Sequence, residues 1–319
     1  MAIPDIRTHE LESRLLRGNP MGDPHVRRVP VYVPPGYDEA RGEPYPVVYL
    51  LAGWSGRGAK YFEDGGAFSV SLPDRFDRMI SGGEMRPFVG VFPDCTTRLG
   101  ASQYVNSAAN GPYMDHLCDE IVPFVEKQYN VTRDAAYRGL VGHSSGGFGA
   151  LVTAMLRPDA FQAICSSAGD GWYEYLYVEA IPKIIKAVSK KGGVEPLIEA
   201  WLASENPWGL LPPDEGLAMM CLNMCNCYAP NLEVPVLKGD LYFDLETGEL
   251  VPEVWAKFLA WDPVLMVEEH VEALRSMRWI HLESGTEDEY GLHLAHRQLA
   301  KRMRAHGLSP VVDEYPGKH

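Results

Sequence analysis

The chain has 319 residues, 46% of them hydrophobic, which suits one large α/β domain or two small ones. Its 29 basic and 43 acidic residues leave a net charge of −14 and argue against nucleic acid or an anionic membrane as partner, because polyanions are held by basic patches. Six cysteines in this length are no disulfide scaffold, and no apolar run is long enough for a signal peptide or a membrane span, so a cytoplasmic protein is expected.

Val29-Pro30-Val31-Tyr32-Val33, followed by Pro34-Pro35-Gly36, reads as a strand and a tight turn, with residues 10–17 as its hairpin partner at the sheet edge. Pro46-Val47-Val48-Tyr49-Leu50-Leu51 is a continuous apolar run, the pattern of a strand covered on both faces. It opens into Ala52-Gly53-Trp54-Ser55-Gly56-Arg57-Gly58, whose spacing matches neither a P-loop nor a dinucleotide fingerprint. Residues 88–92 read as a third buried strand, and 113–129 as a helix with a local kink at Pro123.

Residues 136–141 read as a strand and 147–156 as a helix rich in small residues, stopped by Arg157-Pro158. Between them stands Gly142-His143-Ser144-Ser145-Gly146. A serine at such a junction, with glycine two positions before and two after, fits the nucleophile elbow of α/β-hydrolases. Glycine lets strand and helix backbones approach, which lifts the Ser144 hydroxyl above the sheet edge. Centring the pattern on Ser145 would put His143 where glycine is required, so Ser144 is the expected nucleophile and the amide of Ser145 is free to donate to an oxyanion. In this architecture the loop after the third strand supplies the other oxyanion amide, here that of Trp54. The plain alternative is a tight turn with no chemistry.

Residues 161–166 read as a strand again, and the alternation predicts an α/β fold: a mostly parallel central sheet flanked by helices. From 172 to 261 the rhythm breaks. Helical stretches at 181–188 and 195–202, proline-rich connections and a hairpin-like segment at 242–250 lead us to expect a cap or lid inserted into a single α/β-hydrolase domain spanning 1–319. Alternation resumes with helix 263–277, strand 278–283, helix 289–306 and strand 310–315.

A serine hydroxyl becomes nucleophilic when an imidazole takes its proton and a carboxylate orients that imidazole, in the chain order serine, acid, histidine. Asp288 follows the strand at 278–283; Glu287 is its rival, and an N-capping cluster is the alternative. His319 follows the last strand, where the base belongs; as the last residue of the sequence it could equally be a mobile terminus or a tag remnant. Asp170 ends the 161–166 strand and reads as an alternative acid or as a structural or substrate-facing group. His293 and His296 lack the His-Glu-x-x-His pattern, and Cys221, Cys225 and Cys227 lack a fourth ligand, so no metal site is expected.

Taken in order, residues 31–37, 46–51, 113–126, the elbow at 142–147, Gly285-Thr286-Glu287-Asp288 and Pro316-Gly317-Lys318-His319 resemble the Putative esterase family of α/β-hydrolases, which includes feruloyl esterases, the esterase D type, enterochelin esterases and mycolyltransferase antigens. The resemblance implies a triad of Ser144, Asp288 and His319, oxyanion amides from Trp54 and Ser145, and no cofactor. Members often carry histidine at the position of Ala52, and no motif carries over to 172–261. The expected activity is hydrolysis of a small-molecule carboxylic ester through an acyl-enzyme. Acyl transfer, thioester hydrolysis or a non-catalytic binding role are the alternatives, and a homo-oligomer is compatible with the sequence. Trp54, Trp172, Tyr173, Tyr175 and Trp208 are candidate pocket aromatics; Trp172 and Asp170 are expected to contact substrate.

Overall fold

The structure, a computed structural model, describes residues 3–62, 70–204 and 212–319, so Trp208 lies outside the described residues. Among the described residues ten strands occur in chain order: β1 Asp5–Glu12, β2 Val26–Val33, β3 Val47–Leu51, β4 Val89–Val91, β5 Asn106–Ser107, β6 Gly111–Pro112, β7 Arg138–His143, β8 Ala163–Ser167, β9 Trp279–Gly285 and β10 Val311–Tyr315. Eight form one sheet in the order β1-β2-β4-β3-β7-β8-β9-β10, and β5 pairs with β6. β1, β2 and β4 pair antiparallel; from β4 to β10 every pairing is parallel. This is the α/β-hydrolase fold, with a mostly parallel sheet flanked by helices.

β3 is apolar on both faces, as suits a strand in the middle of a parallel sheet covered on both sides. Val47, Tyr49 and Leu51 are fully buried on one face of β3, and Leu50 is 6% exposed on the other. Leu51 stands beside Gly142 in register, so the loop opening at Ala52 and the turn at Ser144 leave the sheet side by side at its carboxyl edge. Leu72–Ser81 packs on one face with Tyr32, Leu50, Phe88 and Phe92, while the larger core fills the other. That larger cluster continues into 172–261, where Tyr177 meets Tyr173, Tyr228, Tyr242 and Phe258 edge to face.

Three elements differ from the sequence reading. The hairpin partner of β2 is Asp5–Glu12 and not 10–17. The chain leaves the ladder at Ser13, whose hydroxyl donates to Glu120, and turns so that Leu16 becomes fully buried. The helix ahead of Pro123 widens into a π-helical turn at His116–Ile121, because proline has no N–H for the regular ladder. The helix expected over 263–277 is two short ones, Pro263–Met266 and Val271–Ser276. Among the described residues no helix is long and apolar enough to cross a membrane.

On β7, on β8 and on β9 as far as Ser284, burial alternates. Leu140, Gly142, Ile164, Ser166, Ile280 and Leu282 are buried beneath helices, whereas Val141, His143, Cys165, Ser167, His281 and Glu283 line a half-buried opposite face. Period-two side-chain alternation thus separates an apolar face from one that carries ionisable groups.

Candidate active site

The elbow is built by two glycines that leave no room for a side chain. A Cβ on Gly142 would sit 2.2 Å from the carbonyl carbon of Gly146, and one on Gly146 would sit 2.2 Å from the carbonyl oxygen of Leu51. Between them Ser144 adopts φ 57° and ψ −126°, a conformation that L-residues occupy only when the surroundings impose it. Its N–H donates to the Ser167 carbonyl (2.9 Å) and its carbonyl accepts from Phe148 (2.9 Å), which pins the serine between β8 and the helix Ser145–Leu156.

The structure brings Ser144, His319 and Asp288 together. The Ser144 Oγ lies 3.0 Å from His319 Nε2, and His319 Nδ1 lies 2.8 Å from Asp288 Oδ2. With Asp288 ionised, the ring donates from Nδ1 and accepts the serine proton at Nε2. The other carboxylate oxygen of Asp288 accepts the amides of Tyr290 (2.8 Å) and Leu292 (3.3 Å), fixing the acid in place. Glu287, the rival acid, instead donates its backbone N–H to the Gly317 carbonyl (2.8 Å), and Thr286 donates its own to Tyr315 (2.9 Å). The segment carrying His319 is therefore laced to the loop carrying Asp288. The His319 N–H donates to Glu289 (3.2 Å), and its ring packs against Tyr290 and His143.

Burial disfavours charge on His319, but the hydrogen bond and negative charge of Asp288, helped by Asp170 and Glu289, outweigh it and hold the ring above its ordinary pKa. Burial likewise opposes ionisation of Asp288, yet His319 and the amides of Leu292 and Tyr290 bring its pKa below the usual value. His143 is driven the other way, down to about 4, by burial and by the charge of His319.

Among the described residues the amide of Trp54 has no hydrogen-bond acceptor, and Ser145 is the first residue of its helix, where the N–H has no intrahelical acceptor. Gly53 carries the loop tightly past Ser144: a Cβ there would lie 3.2 Å from the serine Cβ. The Trp54 ring is held by a hydrogen bond from Nε1 to Asn223 (3.0 Å), by stacking on Trp201 and by Gly100, where a Cβ would strike the indole.

A cavity of about 370 Å³ opens above these groups, lined by Gly53, Trp54, Ser144, His143 and His319 with Lys60, Tyr61, Asp170, Leu176, Met220, Tyr290 and Leu292. Asp170 lies in its wall, accepting from Gln103 (3.2 Å) and Ser145 (3.4 Å). Burial raises its pKa to about 6, against the lowering effect of His319 and those two donors. Trp172 does not line the cavity. It stacks on Tyr175 and donates its backbone N–H to Asp262, so its place is in the packing of the 172–261 stretch, as is that of Tyr173.

Sequence reasoning missed Lys60, Tyr61, Leu176, Met220, Tyr290 and Leu292. Tyr290 and Leu292 stand just after Asp288 and could have been inferred from it. Met220, on the helix Pro213–Tyr228, has no local signal and reaches the cavity only through tertiary packing. His296 is fully enclosed, its Nε2 accepting from the amide of Gly169 (3.2 Å) and facing the Ser166 hydroxyl (3.3 Å). Cys221, Cys225 and Cys227 are buried along one helix; the Cys225 thiol faces the Cys221 carbonyl, and that of Cys227 faces the Ala101 carbonyl and the Asn226 side chain.

The chain is similar to a bifunctional "Endo-1,4-beta-xylanase/feruloyl esterase" of Xylanibacter ruminicola (strain ATCC 19189 / DSM 19721 / CIP 105475 / JCM 8958 / 23), with 27% identity over 134 residues, 41% of this chain and 18% of that protein. It is also similar to the "Uncharacterized protein YbbA" of Bacillus subtilis (strain 168), with 27% identity over 159 residues, 46% of this chain and 58% of that one. The matches thus span less than two thirds of either curated relative. Among solved structures, a ferulic acid esterase superposes with a TM-score of 0.61 over 99% of this chain and 91% of its own, at 19% identity, a likeness of fold. The profile of the Esterase family, described as "Putative esterase", matches residues 24–319, and the chain belongs to that family.

Proposed function

We propose that the chain hydrolyses small-molecule carboxylic esters through an acyl-enzyme on Ser144. His319 Nε2 takes the hydroxyl proton as Oγ bonds to the ester carbonyl carbon, and Asp288 holds the resulting imidazolium in its tautomer. The carbonyl oxygen, now an oxyanion, accepts from the amides of Trp54 and Ser145. Collapse breaks the carbon–oxygen bond to the alcohol, which leaves with the proton from His319. Water, deprotonated by the same ring, then attacks the acyl-enzyme, and the acid departs as Oγ regains its proton. Every step uses groups of the chain and water.

The observation that carries this reading is the continuous chain of contacts, 3.0 Å and then 2.8 Å, from the Ser144 oxygen through one imidazole to a buried carboxylate. Leu176, Met220, Leu292, Tyr61 and Tyr290 give the cavity an apolar and aromatic wall suited to a compact acyl or alcohol group. The feruloyl esterase name of one relative makes aromatic acyl esters the first class to assay. Residues 172–261 serve as a cap over the strand ends, contributing Leu176 and Met220 to that wall.

The test is labelling with a fluorophosphonate, which phosphonylates an activated serine. The wild type is expected to label and to lose ester hydrolysis in step, and Ser144→Ala to do neither. A wild type that stays unlabelled while folded, or a Ser144→Ala variant that still labels, would overturn the assignment.

A further inference from the structure

The half-buried sheet face carries a second cluster that the ester chemistry leaves unused. Cys165 of β8 stands beside His281 of β9 in register, Glu283 lies two residues further along β9 on the same face, and Asp313 of β10 stands beside Glu283. The Cys165 Sγ is 3.7 Å from His281 Nδ1, and the ligand atoms of Cys165, His281 and Glu283 all lie within 4.8 Å of one another. On its other side the ring meets Asp313, with Nε2 2.9 Å from Oδ2.

We propose that Cys165, His281 and Glu283 form a binding site for one zinc(II) ion, with water in the fourth position and Asp313 as the positioning residue for the imidazole. The argument is geometric. Zn–S and Zn–N bonds of about 2.3 and 2.0 Å at a tetrahedral angle separate the two ligand atoms by about 3.5 Å. The 3.7 Å between Sγ and Nδ1 is already that edge. Glu283 needs to bring one oxygen inward by about an ångström, within reach of its side-chain torsions.

The tautomer is also set. Donation from Nε2 to Asp313 leaves the lone pair on Nδ1, the nitrogen that faces the thiol, and a carboxylate behind the ligating ring is the usual partner of a metal-bound histidine. A thiol with an imidazole and a carboxylate suits zinc better than magnesium or calcium, which prefer oxygen alone. Glu283 and Asp313 bring negative charge to the thiol and its imidazole. The same charges favour a cation, and binding exchanges the thiol proton for the metal, releasing H⁺ to solvent. Adjacent parallel strands hold Cys165 and His281, so the site needs no folding step to assemble.

This inference does not depend on the reading of Ser144, and its test reads the metal directly. The chelator-treated, reduced full chain is titrated with Co²⁺. The expected result is one equivalent bound with tetrahedral visible bands and a thiolate-to-cobalt charge-transfer band, all displaced by Zn²⁺. Cys165→Ser should abolish the charge-transfer band, His281→Gln and Glu283→Gln should weaken binding, and Asp313→Asn should weaken it by about 10- to 100-fold while keeping the spectrum. Circular dichroism of each variant reports whether it is folded. A folded wild type that binds no Co²⁺ would mean that the 3.7 Å contact is a thiol–imidazole hydrogen bond and nothing more. A charge-transfer band that survives Cys165→Ser would place the metal on another cysteine. Either result overturns the proposal.

Discussion

His143 and His319 lie against each other, ring centroids 4.6 Å apart and planes 39° to one another, yet their pKa values are displaced in opposite directions. Two imidazolium rings cannot share so small a space, and Asp288 decides which one takes the proton. His319 touches the carboxylate and is held above its ordinary value; His143, with Ser167 as its polar neighbour, falls to about 4 and stays neutral at pH 7.

In the proposed mechanism the base must be unprotonated to act, so the raised pKa of His319 is expected to move the acid limb of kcat/KM above pH 6.5. His143→Arg would set a permanent cation against His319, lower its pKa and carry the limb to lower pH. His143→Phe keeps the ring contact without the charge and should leave the limb near its wild-type place. Both profiles are measurable with one soluble ester.

In the proposed mechanism Asp288→Asn removes the charge that holds the His319 ring in the tautomer able to accept at Nε2. The expected loss is about 10⁴-fold in kcat, with the folded structure retained because an amide oxygen can still accept from Tyr290 and Leu292. The acid limb of any residual activity should move downward. Steady-state kinetics alongside circular dichroism separate lost chemistry from lost fold.

Gly142→Ala puts a Cβ 2.2 Å from the Gly146 carbonyl carbon, in backbone that has no side-chain freedom with which to yield. Strand β7 and the helix Ser145–Leu156 must then separate. A destabilisation of about 3 kcal/mol is expected from such overpacking, together with loss of activity. Gly36→Ala, at a turn with φ 71° and open space around it, should cost only the backbone strain, and urea melts of the two variants give the comparison.

Asp170 carries a raised pKa, so the folded state holds its proton more tightly than the unfolded chain does. The carboxylate therefore destabilises the fold above pH 6, and this cost disappears below pH 3.8, where both states are protonated. Asp170→Asn keeps an acceptor for Gln103 and Ser145 and should raise the melting temperature at pH 8 relative to wild type. The gain should shrink toward zero at pH 3.5, a comparison that calorimetry at the two pH values supplies.

The sheet and the elbow were legible because their signals are local. An unbroken apolar run such as 46–51 suits only a strand buried on both faces, and two glycines flanking Ser144 satisfy a steric condition set within five residues. Positions ruled by distant contacts were not legible in this way. The end of β1 is set by Ser13 meeting Glu120 and by Leu16 entering the core, partners about a hundred residues apart for the first pair. Trp172 reads as a pocket aromatic in one dimension, and Asp262, ninety residues on, fixes it elsewhere.

The sequence by itself determined the strand order's raw material, the bend that lifts Ser144, and the residue types able to activate it, because periodicity and glycine sterics act over a few residues. Only the tertiary structure decided that the His319 ring faces Ser144 and Asp288 at once, that Met220 closes the cavity, and that Cys165, His281, Glu283 and Asp313 gather on one sheet face. Hydrogen-bond geometry between groups as many as 175 positions apart depends on strand register and helix packing, which the whole chain sets together.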